Sequence, residues 1–181
     1  MVRYSFKAKD GTEVLIREPV MTDAALLMAM INAVIEEPMS GIIFNKKTTL
    51  EDEKKWLKQR MRDIERKKTV ILLAEVDGEA MGNCDVVRRQ FKEFHRAELG
   101  IVIREELRGK GVGEALIKRT IALAKQRMKG LEQVDLKTFT YNRRAQSLYR
   151  KMGFRRTGCI PRAIKEGKKY YGEVEMVLYL R

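Results

Sequence analysis

The chain has 181 residues, which is enough for one globular domain and short for two. With 44% hydrophobic residues and three prolines, the composition excludes disordered and collagen-like chains, although 35% of the residues are charged. The formal net charge is +13, from 38 basic and 25 acidic side chains. An excess of that size points to an anionic partner, such as nucleic acid, anionic lipid or a phosphorylated ligand.

The sequence disfavours membrane-spanning, secreted and zinc-binding proteins. Its apolar runs, such as Val70–Ala74, are far shorter than the ~18 residues of a spanning helix. Residues 1–9 lack the apolar segment of a secretory signal, so we expect a soluble, cytoplasmic protein. Two cysteines are too few for a disulfide scaffold, and with His95 as the one histidine we predict no metal site.

The basic excess is concentrated in one part of the chain. Residues 104–156 carry 15 basic and 5 acidic side chains, a net charge of +10, whereas residues 1–103 carry 18 and 17, a net charge of +1. We therefore expect the anionic partner to bind around residues 104–156. Because no linker or internal repeat is visible, we predict one domain over residues 1–181.

The predicted elements have a mixed helix and strand order. The first half of the chain contains a strand at Glu13–Arg17, a helix over 24–35, a helix that begins after Thr49, and a hairpin of strands Thr69–Val76 and 80–87. Thr49 is predicted to cap the second helix, whose first turn contains acids at 51–53. The second half contains a strand over 97–103, a helix over 113–129, a strand over 134–140, a short helix over 142–152, and final strands over 154–160 and 170–180. Hairpin connections around a central strand-helix-strand-helix unit indicate an α/β class.

The strongest chemical signal is the segment Arg108-Gly-Lys-Gly-Val-Gly113, between a predicted strand and a predicted helix. Its three glycines allow a tight turn whose N–H groups converge, and the helix start adds its own N–H groups and positive end. This pattern suits a pyrophosphate, although such a loop can also be an ordinary turn. It lacks the Gly-Lys-Ser/Thr ending of a P-loop and the GxGxxG spacing of a Rossmann turn.

The pattern R-G-x-G-x-G after a strand resembles the acetyl-CoA-binding segment of the GNAT N-acetyltransferase superfamily. A second segment, from Asn142 to Phe154, resembles the family's N-x-x-A-x-x-L-Y-x-x-x-G-F motif. Residues 16–24 resemble its first strand and helix. Within the superfamily, the layout with Glu36-Glu37, Trp56 and a tyrosine-rich last hairpin looks most like phosphinothricin-type small-amine acetyltransferases.

The resemblance implies a GNAT-type α/β (α+β) fold with a mixed central sheet flanked by helices. Its fourth and fifth strands, here 97–103 and 134–140, would form a splayed parallel pair with the pantetheine of acetyl-CoA in the gap. The cofactor-binding residues implied are backbone groups of Ile101, Val102 and Ile103, the loop residues Arg108, Gly109, Lys110, Gly111, Val112 and Gly113, and Asn142, which also suits a helix cap.

The resemblance also implies catalytic residues. Tyr149 would protonate the departing thiolate, as a phenol of pKa ~10 can at neutral pH; the alternative is a core tyrosine. Glu98 matches a position where several family members place a carboxylate that acts as a base. The alternative for Glu98 is a strand carboxylate paired with an Arg or Lys, and Asp85, Glu36 and Glu37 are substitutes for the base.

The acceptor would be a primary amine of a small molecule or amino acid, which attacks the thioester directly in a ternary complex. Candidate substrate-binding residues are Glu36 and Glu37, which could recognise a cation, and Tyr170. The alternative acceptor is the N-terminus of a polypeptide. A basic nucleic-acid-binding module is disfavoured, because the basic residues interleave with glycines rather than exposed aromatics. The oligomeric state is left open, with a homodimer as the form common in related enzymes.

Overall fold

Eight strands and four helices are formed by residues 2–180, the part of the chain that the computed structural model describes. The strands are β1 (Arg3–Lys7), β2 (Glu13–Arg17), β3 (Thr69–Val76), β4 (Glu79–Arg88), β5 (Arg96–Ile103), β6 (Gln133–Phe139), β7 (Arg155–Glu166) and β8 (Lys169–Tyr179). The helices are α1 (Ala24–Glu36), α2 (Leu50–Glu65), α3 (Val112–Arg127) and α4 (Arg143–Lys151).

The chain divides into two compact units. The first contains Met1–Val87 and Gly100–Lys129, and the second contains Arg88–Leu99 and Gly130–Arg181. Strand β5 therefore begins in the second unit and ends in the first.

The first unit is built on β3. Its strands follow the order β1-β2-β3-β4-β5, with antiparallel pairing from β1 to β4. The run Val70–Ala74 is at most 1% exposed, so this strand is buried on both faces. Helices α2 and α3 pack against β3, and α1 packs against α2. Their apolar faces complete the core through residues such as Leu27, Leu57 and Leu116.

The second unit has the strand order β5-β6-β8-β7. Strands β5 and β6 are parallel, with Arg96–Glu98 opposite Gln133–Asp135, whereas β6, β8 and β7 are antiparallel neighbours. With parallel and antiparallel pairs in the sheet, the predicted mixed α/β class is confirmed. Helix α4 contributes Tyr149 to the core of this unit, beside Phe154.

Two strands differ from the prediction. Strand β1 was not predicted, because its sequence alternates exposed and half-buried residues without a strongly apolar face. Strand β7 continues past Pro161 to Glu166, six residues beyond the predicted end, with a register shift between Ile160 and Ile164. Proline is tolerated there because β7 is the last strand in the order, where one side of the backbone needs no ladder partner.

Helix α2 begins as the sequence predicts. The Thr49 hydroxyl accepts a hydrogen bond from the Asp52 N–H at 3.2 Å, and the Asp52 carboxylate accepts one from the Thr49 N–H at 3.3 Å. This reciprocal pairing is a capping box. Among residues 2–180, no helix has both the length and the apolar character that crossing a membrane requires.

A buried ion cluster around Arg17 fixes the start of α1 to β2. The Arg17 guanidinium donates to both carboxylate oxygens of Asp23, at 2.7 and 2.9 Å, and through Nε to Glu75 at 2.7 Å. Asp23 also accepts a hydrogen bond from the Val20 N–H at 2.7 Å. Burial alone would raise the pKa of Asp23, but the hydrogen bonds from Arg17 and Val20 outweigh it and hold the pKa below its ordinary value.

We expect Asp23→Asn to lower the free energy of unfolding by about 3 kcal/mol at pH 7, because it leaves the buried Arg17 charge half paired. Since the pKa of Asp23 is lowered in the fold, this stabilisation is present above the ordinary carboxyl pKa and is lost as the pH falls through the lowered value. Urea unfolding at several pH values measures both effects. Asp77→Asn, in an exposed turn, is the charge-matched control; equal stability of wild type and Asp23→Asn at pH 7 would contradict the account.

Candidate active site

The glycine-rich loop Arg108–Gly113 lies in the first unit and leads into α3. Gly109 and Gly111 have φ of +80° and +89°, in the left-handed region that side chains rarely adopt. Gly111 is the N-cap, and the Ala115 N–H donates to its carbonyl at 3.1 Å. The N–H groups of Val112 and Gly113 precede that bond, so they point out of the positive end of the helix. This backbone geometry suits an anion, and it is the geometry predicted for the loop.

Both charged side chains of the loop form ion pairs. Arg108 pairs with Glu37, and its Nε donates to the Ile103 carbonyl at 2.8 Å. Lys110 pairs with Asp10 at 2.7 Å. The loop's positive side chains are thus directed at protein groups, which leaves the backbone N–H groups and the helix end as the anion-facing part.

The predicted pantetheine segment is the end of β5. Ile101, Val102 and Ile103 are half-buried there. Strand β4 approaches closely, since a Cβ added at Gly82 would lie 2.8 Å from the Val102 carbonyl oxygen. The Arg104 N–H donates to the Met81 carbonyl at 2.9 Å, which continues the alignment of the two strands. The position of this segment is therefore fixed by β4.

Asp85 on β4 lies directly against the same strand. A Cβ added at Gly100 would be 2.6 Å from the Asp85 Oδ1, so glycine is what allows the carboxylate to approach the backbone. The Asp85 side chain is 16% exposed, and its Oδ2 is 3.8 Å from the Arg60 guanidinium. Among the carboxylates named from the sequence as substitutes for the base, only Glu37 has a less exposed side chain, at 14%.

The inner face of α2 brings Glu53, Trp56 and Arg60 to neighbouring positions by their spacing of three and four residues. The Arg60 guanidinium lies 5.6 Å from the centre of the Trp56 ring. Trp56 and Val102 both pack against the core cluster that includes Leu27, Leu57 and Leu73. Burial raises the pKa of the Glu53 carboxyl to about 7. From the sequence, Glu53 was predicted only to be an acid in the first turn of α2. Its spacing of four residues from the fully buried Leu57 is the signal that indicates its burial.

The three other carboxylates named from the sequence all lie in ion pairs. Glu36 pairs with Lys47, and its side chain is 62% exposed. Glu37 pairs with Arg108 and is 14% exposed. In the second unit, Glu98 pairs with Arg89 at 3.2 Å and is half-exposed, which is the structural alternative named for it.

The remaining predicted residues lie in the second unit. Tyr149 is 6% exposed, with its ring edge-on to Phe154 and the ring centres 6.0 Å apart. Asn142 caps α4, since its Oδ1 accepts a hydrogen bond from the Ala145 N–H at 3.1 Å. The Tyr170 ring is exposed and lies 4.0 Å from the Arg162 guanidinium. Within residues 2–180, no group of three or more His, Cys, Asp or Glu side chains is placed to hold a metal ion.

Comparison with known families identifies the class of the protein. A model of the acetyltransferase (GNAT) family matches residues 32–154, which is more than half of the chain. The chain therefore belongs to the acetyltransferase (GNAT) family, and it is an acyltransferase. This confirms the resemblance seen in the sequence.

Three known proteins illustrate the relationship. An uncharacterized N-acetyltransferase of Archaeoglobus fulgidus is 26% identical over 117 residues, which cover 62% of this chain and 74% of the relative. The ribosomal-protein-alanine N-acetyltransferase of Brucella melitensis is 25% identical with a TM-score of 0.80, covering 91% of this chain and 99% of that one. A phosphinothricin acetyltransferase of Sinorhizobium meliloti, solved with acetyl-CoA, is 16% identical with a TM-score of 0.78, covering 92% of this chain and 88% of that one. The predicted fold class is confirmed, while the names of these proteins differ in their acceptors.

We expect the stability of the protein to fall as the pH rises from 5 to 8, and Glu53→Gln to remove part of that fall. The pKa of Glu53 is raised from 4.5 to about 7, so the folded protein binds a proton at Glu53 more tightly than the unfolded chain does. The contribution of this proton to the free energy of unfolding is therefore complete below about pH 4.5 and is lost as the pH rises through 7. Thermal unfolding followed by circular dichroism should give the variant a Tm about 4 °C above wild type at pH 8.

Glu51→Gln is the control for this experiment, because Glu51 lies exposed in the same first turn of α2. It should keep the wild-type pH dependence. Parallel pH profiles for wild type and Glu53→Gln would contradict the assignment.

Proposed function

We propose that the chain is an acetyl-CoA-dependent N-acetyltransferase that acetylates a primary amine of a small molecule or amino acid. The observation that carries this proposal is the loop Arg108–Gly113, whose left-handed glycines direct backbone N–H groups outward at the positive end of α3. The pyrophosphate of CoA is the anion that this site would bind. Membership of the acetyltransferase family and the acetyl-CoA complex of the Sinorhizobium meliloti enzyme support the donor.

We treat residues 1–181 as one cytoplasmic N-acetyltransferase domain. The family match from residue 32 to residue 154 supports a single domain.

The reaction is direct transfer. The amine nitrogen attacks the thioester carbonyl carbon, the C–N bond forms, and the C–S bond breaks with its electron pair on the CoA sulfur. An alkylammonium of pKa ~10 must first lose a proton, and the departing thiolate gains one. The products are the amide, the CoA thiol and one released proton. A backbone N–H of Ile101–Ile103 is proposed to stabilise the oxyanion formed during attack.

Asp85 is the base that the geometry supports best. Its carboxylate lies against Gly100, next to the segment proposed to hold the thioester, and is mostly enclosed. Glu98 is the second candidate, because its carboxylate is half-exposed and shares Arg89 with Asp135, which is 2.6 Å from that guanidinium. The Glu98–Arg89 ion pair, at 3.2 Å, is also shorter than the Asp85–Arg60 ion pair, at 3.8 Å.

Tyr149 is proposed as the acid that protonates the thiolate. Its ring is held by packing against Phe154, and the Phe154 N–H donates to the Tyr149 carbonyl at 2.9 Å, which fixes the end of α4. A phenol fixed in this way can serve as a directed proton donor.

Acetylation of polypeptide N-termini is the second candidate function. The similarity to the ribosomal-protein-alanine N-acetyltransferase of Brucella melitensis favours it. Both candidates use the same donor and differ in the acceptor.

The decisive experiment measures thiol release from acetyl-CoA with a panel of small amines, amino acids and peptides with free N-termini. At least one acceptor should release thiol above background. Tyr149→Phe should lower kcat about 100-fold with little change in acetyl-CoA affinity, whereas Tyr179→Phe, at an exposed tyrosine, should have no effect. Absence of release with every acceptor, together with no acetyl-CoA binding, would refute the function.

Once an acceptor has been identified, Asp85→Asn should lower kcat/KM about 100-fold. The variant should also lose the increase of kcat/KM with pH that deprotonation of a catalytic base produces. Glu98→Gln should change kcat/KM about twofold or less. The pH profile of kcat/KM for both variants makes the comparison. A large loss in Glu98→Gln with a normal Asp85→Asn would assign the base to Glu98 instead.

A further inference from the structure

Glu37 ties the end of α1 to the segment that carries the glycine-rich loop. Its Oε2 pairs with the Arg108 guanidinium, and its Oε1 accepts a hydrogen bond from the Glu105 N–H at 3.3 Å. Arg108 in turn donates to the Ile103 carbonyl at 2.8 Å. One carboxylate thus joins the helix end to both the short turn and the loop that follow β5.

Asp10 holds the other side of the loop from the β1–β2 turn. The Lys110 ammonium lies 2.7 Å from the Asp10 carboxylate, and the Lys9 N–H donates to the Lys110 carbonyl at 3.0 Å. The hydrogen bond from Lys110 lowers the pKa of Asp10 to about 2. The turn itself is fixed by the Thr12 N–H, which donates to Asp10 at 3.2 Å.

Such restraint matters because the loop has three glycines in six residues. Glycine has the largest backbone freedom of any residue, so an unrestrained loop would lose much conformational entropy when an anion fixes it. A loop that is already held in its binding conformation avoids most of that loss.

We propose that Glu37 and Asp10 are positioning residues for CoA, which hold the loop Arg108–Gly113 from two sides so that its backbone N–H groups are preorganised for the pyrophosphate. The inference rests on the proposed function. In this proposal, Arg108 and Lys110 act mainly by anchoring the loop to Glu37 and Asp10 and not by contacting phosphate directly. Glu37 positions the loop and does not recognise a cationic acceptor.

The two ion pairs differ in their surroundings. The side chains of Glu37 and Arg108 are 14% and 29% exposed, whereas those of Asp10 and Lys110 are 39% and 33% exposed. Exposed pairs contribute little because water screens them. We therefore expect Glu37 to have the larger effect on CoA binding.

The test is calorimetric titration with CoA, without any amine. Glu37→Gln should raise the Kd of CoA about tenfold, and Asp10→Asn about threefold or less. Glu65→Gln makes the same charge change at an exposed position at the end of α2, so its Kd for CoA should stay within about twofold of wild type.

The kinetic readout separates positioning from acceptor binding. Glu37→Gln should raise the KM of acetyl-CoA, while kcat and the KM of the amine change about twofold or less. A raised KM for the amine with an unchanged Kd for CoA would make Glu37 an acceptor contact and overturn the proposal.

A double variant guards against misfolding of Glu37→Gln, which leaves a partly buried arginine unpaired. Glu37→Gln combined with Arg108→Gln removes both charges and should bind CoA about as weakly as Glu37→Gln alone. Wild-type affinity in the double variant would overturn the positioning role. If the wild type itself binds no CoA, the proposed function fails. If the wild type binds CoA and both variants bind it as tightly as the wild type does, only the positioning role fails.

Discussion

The proposed cofactor site depends on the left-handed conformation of Gly111 at the start of α3. With φ of +89°, this residue turns the chain from the loop into the helix. The helix start then presents backbone N–H groups and the positive end of the dipole in one direction. A side chain at Gly111 would be strained because of this backbone conformation. The ion pairs of Arg108 and Lys110 hold the same conformation from outside the loop.

Local patterns made much of this predictable. The glycine spacing of 108–113 specifies a turn that only glycine adopts readily, and Thr49 and Asn142 are capping residues whose hydrogen bonds reach three residues along the chain. The apolar run at Val70–Ala74 predicts a strand buried on both faces, as observed. Each of these features is determined within a few residues of sequence, so it can be found before the fold is known.

The features that were missed depend on residues far apart in the chain. Nothing near Glu37 indicates that its partner is Arg108, 71 positions away. The raised pKa of Glu53 arises from burial, which follows from how α2 packs. For Glu98, the sequence offered pairing with an Arg or Lys as the alternative to a base but did not identify Arg89 as the partner, and its role as a base stays a prediction. Sequence patterns therefore predicted the backbone of the site better than the pairing of its charges.

Binding of the CoA pyrophosphate by backbone N–H groups at the start of α3 can be measured by comparing CoA with pantetheine, which lacks the pyrophosphate and the nucleoside attached to it. Calorimetry should show saturable binding of CoA and binding of pantetheine weaker by about 100-fold or more. Equal affinity for the two ligands, or no binding of CoA, would contradict the account.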